Sequence, residues 1–68
     1  MLTGEFIFNY PKEFVTMPEY TKRAGTVVRI IRPLTNEEAD NSVEQIYEVL
    51  GEDNWIGHAW ESELNPIK

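Results

Sequence analysis

The stretch from Val43 to Trp60, VEQIYEVLGEDNWIGHAW, does most to limit what this chain can fold into. Apolar and polar residues alternate up to Leu50, Asp53-Asn54 interrupts them, and Trp55 and Trp60 follow. Alternation with period two marks a half-buried strand. Asp-Asn is related to the pairs that tolerate the positive φ angles of a type I′ turn. The pattern predicts two antiparallel strands closed at Asp53 and Asn54, with Glu52 opposite Trp55, Val49 opposite His58 and Tyr47 opposite Trp60. Val43, Gln45, Tyr47, Val49, Ile56, His58 and Trp60 then share the bulkier face, assigned to the core. Glu44, Ile46, Glu48, Leu50, Trp55, Gly57 and Ala59 share the mixed face. A four-residue loop would keep these faces; a slip by one residue would exchange them. Gly57 stands where a bulge, a coil or a close backbone approach fits.

Sixty-eight residues predict one small domain, 1–68, in which nearly every large apolar side chain has to serve the core. Without cysteine, no disulfide or thiolate-held metal can staple it. The opening MLTGEFIF lacks a basic region and a long apolar run, so no signal peptide is read, and the expected location is the cytoplasm.

The remaining elements are short. Glu5 to Tyr10 alternates and stops at Pro11, predicting a first strand at an edge that could join two copies, so the expected state is a monomer or weak homodimer. Phe14-Val15 offers a brief extended piece. Thr16-Met17-Pro18-Glu19 has the form of a capping box, and Gly25 suits an αL terminator, predicting one to two helical turns over about residues 17–24. Thr26 to Arg32, TVVRIIR, is the clearest strand, with Val28 and Ile30 sharing a face with Thr26 and Arg32. Leu34 to Ala39 contains a second capping box. Glu61 to Leu64 reads as a turn or 3₁₀ piece that drops Leu64 onto one end.

The net charge of −6 is uneven. Residues 1–34 carry five cations against three acids, and residues 35–68 carry nine acids against Lys68 alone. Lys22, Arg23, Arg29 and Arg32 form a candidate basic stripe which, beside Tyr10 and Tyr20, describes a minimal single-strand nucleic-acid platform. Twelve acids in the same chain oppose it through long-range repulsion of phosphates. The acids from Glu37 to Glu44 lack the alternating ligands and glycine of a calcium loop. His58 is the only histidine and has no sequence partner for acid–base or metal chemistry. The glycines are dispersed and no hydroxyl has an identifiable base, so neither an enzyme, a cofactor nor a metal is expected. Two tryptophans exceed what so small a core easily encloses. Trp55 is either an exposed anchor or a cover for one end of the fold.

The order of parts resembles an SH3-like small barrel. Gly25 leads into Val27-Val28-Arg29-Ile30; a polar connection, Ile46-Tyr47-Glu48-Val49, the turn Asp53-Asn54-Trp55-Ile56-Gly57 and Glu63-Leu64 follow. Short bacterial and mobile-element proteins show the same order. The resemblance is at the level of fold, spans residues 25–64, and leaves out the first strand and residues 17–24. It implies a mainly β, partly open antiparallel barrel of about five strands with one or two helical turns. The opening Ala-Leu-Tyr-Asp-Tyr segment and paired tryptophans of signalling SH3 domains are missing, so proline-rich peptide binding is not implied. The functional expectation is a non-enzymatic binding module meeting an unknown protein through Trp55, Tyr47, Tyr20, Trp60 and Glu48, with a nucleic-acid accessory using the basic stripe as the alternative.

Overall fold

A computed structural model describes residues 2–10 and 17–67. Phe14, Val15 and the capping residue Thr16 lie outside the described residues. Strand β1 (Glu5–Phe8) is followed by a one-turn helix α1 (Pro18–Thr21), β2 (Val27–Pro33), β3 (Ile46–Gly51), β4 (Ile56–Trp60), a 3₁₀ turn (Glu61–Glu63) and β5 (Leu64–Asn65). The strands form one antiparallel sheet in the order β4-β3-β2-β1-β5, mainly β and not closed into a complete barrel.

Two expectations about β1 and β2 are corrected by the ladder. β1 pairs with β2 on one side and β5 on the other, so it is an interior strand and offers no edge to a second copy. The edges are β4 and the two-residue β5, which Pro66 follows. On β2 the register shifts between Ile30 and Arg32. This bulge leaves Ile31 without a cross-strand partner and moves Arg32 off the Val28 face, so that it stands opposite Glu48. Arg32 and Val28 therefore do not share a face.

The hairpin forms where the sequence places it, but its arms are offset by one residue from the expected pairing. Val49 faces Gly57, Tyr47 faces Ala59, Glu48 faces His58 and Ile46 faces Trp60. Among the described residues, Asn54 is the one non-glycine residue with positive φ, at 66°. A type I′ turn requires two such residues in succession, whereas a three-residue loop ends on a single αL residue. Glu52, Asp53 and Asn54 make that loop: the Asn54 N–H donates to the Gly51 carbonyl (3.1 Å), and the Gly51 N–H donates to the Trp55 carbonyl (2.7 Å). Odd loop length exchanges the faces of β4 relative to β3. Trp55, Gly57 and Ala59 join Tyr47 and Val49 inside, while Ile56, His58 and Trp60 turn outward with Glu48.

The core is Phe8, Val28, Tyr47, Val49, Ala59 and Leu64, flanked by Leu2, Phe6, Tyr10, Tyr20, Ile30 and Trp55. Tyr47 is only 1% exposed and spans the interior. Its hydroxyl donates to Glu61 Oε1 (3.0 Å) and accepts from the Leu2 N–H (3.2 Å), as a buried phenol needs. Burial pushes the Tyr47 phenol up from its ordinary value. The helix α1 is too short to persist alone. It is held by Tyr20, whose ring lies edge-on to Trp55 at 4.9 Å and whose hydroxyl accepts the His58 N–H (3.2 Å). Gly25, at φ 86°, ends the segment as an αL residue. Within Leu34–Ala39, the Glu38 carboxylate accepts the Thr35 N–H (2.9 Å), closing the expected box from one side, and Leu34 is buried.

A candidate docking face

Two aromatic groups meet different fates. Trp55 lies inside a cluster with Phe8 (6.3 Å between centroids) and Tyr20, and Tyr20 stacks in turn near Tyr10 at 5.1 Å. Arg23 covers the open side of the indole, its Cζ 4.5 Å from the ring centroid, a cation–π contact. The same guanidinium bonds Asp53 through two nitrogens (2.7 and 3.4 Å) and donates to the Glu19 carbonyl. Hydrogen bonding from Arg23 holds the Asp53 carboxyl below its ordinary range. Helix, hairpin tip and indole are thereby tied together. Of the two roles open to Trp55, its position matches the cover over one end of the core. Tyr47 presents almost no surface, and Tyr20 is half-buried.

Trp60 is 42% exposed and Ile56 59% exposed, both on the outward face of β4 with His58 between them. Leu50 stands opposite Ile56 on β3, and Ile31 is also exposed. Sequence reasoning assigned Ile56, His58 and Trp60 to the core. The sequence carries no signal that separates the two cases, since Asp53 and Asn54 both tolerate αL; of the two Asn54 alone adopts it, and the odd loop turns these residues outward.

The basic stripe is divided. Arg29 pairs with Glu5 (3.3 Å), and Arg32 with Glu38 (2.7 Å) and Glu48 (3.3 Å), all on or beside the outward face. The hydrogen bond from Arg32 lowers the Glu38 carboxyl to about 2. Arg23 is engaged on the aromatic cluster instead, and Lys22 lines a shallow groove with Arg23, Thr26, Glu52 and Asp53. Among the described residues no three histidine, aspartate or glutamate side chains converge as metal ligands, and His58 is exposed on a strand.

The outer edge of β4 has a definite chemistry. Narrow pairs at Gly51/Trp55 and Gln45/Glu61 bracket the ladder. Antiparallel alternation therefore turns the backbone groups of Ile56, His58 and Trp60 away from β3. Two of those three N–H groups are taken: His58 by Tyr20, and Trp60 by Glu63 Oε1 at 2.9 Å. Burial raises the Glu63 carboxyl above its ordinary value, an effect that the Trp60 N–H opposes and nearby Glu44 reinforces. No helix among the described residues is long and apolar enough to cross a membrane. No family model, curated protein or solved structure matches the chain.

Proposed function

We propose that the chain is a non-enzymatic binding module of the SH3-like barrel type that docks a partner protein on the outward face of β4. The strand order β4-β3-β2-β1-β5, with a 3₁₀ turn between β4 and β5, supports the SH3-like assignment. The observation that carries the docking role is the pair Ile56 and Trp60, exposed on one strand face in a chain whose core needs large apolar groups. Trp60 and Glu48 belong to this surface, whereas Trp55, Tyr47 and Tyr20 support it from within. No observation favours the nucleic-acid alternative, because Arg23, Arg29 and Arg32 are each paired with a carboxylate.

The test is a photo-crosslinking residue placed singly at Ile56, Trp60 or the exposed loop residue Asn36, irradiated in an extract of the source cells. A discrete protein adduct from positions 56 and 60, absent from 36 and competed away by excess unlabelled chain, is expected. The absence of an adduct, or the same adducts from all three positions, refutes docking at this face.

A further inference from the structure

We infer that the occupant of the β4 face is a segment of a partner protein whose apolar side chains are flanked by lysine or arginine, docking by side chains and not by strand addition. The inference rests on the docking role proposed above and specifies its partner. The apolar strip is short: Ile56 and Trp60 are four residues apart, roughly 13 Å along a strand. Leu50 widens it at one end. There a shallow groove of about 320 Å³ is lined by Val27, Leu50, Arg29, Glu5 and Glu52 among others. Arg29 is engaged by Glu5, whereas Glu52 makes no ion pair among the described residues. At the other end Glu44 accepts from the Ser62 backbone N–H (2.6 Å) and hydroxyl (3.0 Å). Glu44 pairs with no cation among the described residues.

An apolar strip with uncompensated carboxylates at both ends is complementary to apolar anchors bordered by cations. A second copy fits poorly, since it would bring Glu44 and Glu52 of two chains of net charge −6 against one another. Nucleic acid and anionic lipid meet the same repulsion. Strand addition needs the outward N–H groups of β4, of which His58 and Trp60 are already occupied by Tyr20 and Glu63. The face remains available where the edge is blocked.

The test titrates the ¹⁵N-labelled chain with a synthetic peptide carrying leucine and tryptophan between lysine and arginine pairs, and with a version in which every cation is glutamate. The basic peptide is expected to shift Leu50, Ile56, His58 and Trp60 resonances, with affinity falling as salt is raised. Glu52→Lys should weaken it roughly three- to fivefold, the scale of an exposed charge pair. Ile56→Thr should weaken it further, with an unchanged unfolding midpoint. Equal binding of the acidic peptide, shifts centred on Lys22 and Arg23, or self-association through the strip overturns the inference. Failure of both peptides also overturns it. If crosslinked adducts from positions 56 and 60 persist in that case, the docking role survives and only the basic character of the partner is wrong; without adducts both fall.

Discussion

Gly57 is the residue on which the interior depends most directly. Trp55 folds back over it, and a Cβ at this position would lie 2.1 and 2.2 Å from indole carbons. These are ring atoms of a side chain held by Tyr20 and Arg23, so the indole cannot swing aside cheaply. Gly57→Ala should destabilise the fold by about 1–3 kcal/mol, the range for inserting a methyl into a packed site. Urea unfolding followed by tryptophan fluorescence checks it. Gly51→Ala is the contrasting case: its nearest new neighbour is the exposed Asp53 side chain at 3.2 Å, so the cost should be smaller. In a double mutant with Trp55→Leu, the penalty of Gly57→Ala should largely vanish, whereas additive penalties would show that the indole is not the obstacle.

At the scale of elements, the hairpin shows what the sequence could and could not convey. Alternation through Ile46-Tyr47-Glu48-Val49 and the apolar run Val27 to Ile31 announced β3 and β2, and Pro33 marked the end of β2. A turn at Asp53-Asn54 was equally legible. Loop parity was not, because Asp-Asn fits both an even and an odd connection and only the backbone at Asp53 distinguishes them. Bulk alternates in Ile56-Gly57-His58-Ala59-Trp60 but points the wrong way, so the larger residues were wrongly placed inside. Gly57 and Ala59 are inside because the space is filled by Trp55 and Tyr47 from neighbouring positions. The β2 bulge was hidden for a similar reason: Thr26 to Arg32 is apolar on both faces, so a one-residue shift leaves no trace in its pattern. The αL residue makes the loop testable. Asn54→Gly should leave stability nearly unchanged, while Asn54→Val should cost about 1–2 kcal/mol, because a β-branched side chain opposes positive φ. Equal midpoints for both variants in thermal unfolding would contradict the three-residue loop.

For the molecule as a whole, carboxyl groups pull stability in opposite directions with pH. Glu38 is lowered to about 2 by Arg32, Asp53 is lowered by Arg23, and Asp40 by hydrogen bonds from Ser42. Each contributes stability that is present above its unfolded value and lost as pH falls toward the folded one. Glu63 behaves oppositely, because burial raises its folded value. Its contribution is fully present below the unfolded value near 4.5 and is lost as pH rises through the folded value. Acidification from neutrality should therefore first raise the urea midpoint slightly as Glu63 takes up its proton and the −6 chain loses self-repulsion. Below the ordinary carboxylate range the trend should reverse, with stability falling as the bridges to Arg32 and Arg23 are protonated. Glu63→Gln should remove much of the early rise and retain the acid loss, since a neutral amide can still accept the Trp60 N–H. Glu38→Gln should do the reverse, flattening the acid limb and leaving the rise in place. A midpoint that falls steadily from pH 7 in the unmodified chain would show that Glu63 is ionised without cost, and that the seal on the β4 edge is as open to water as the loops around it.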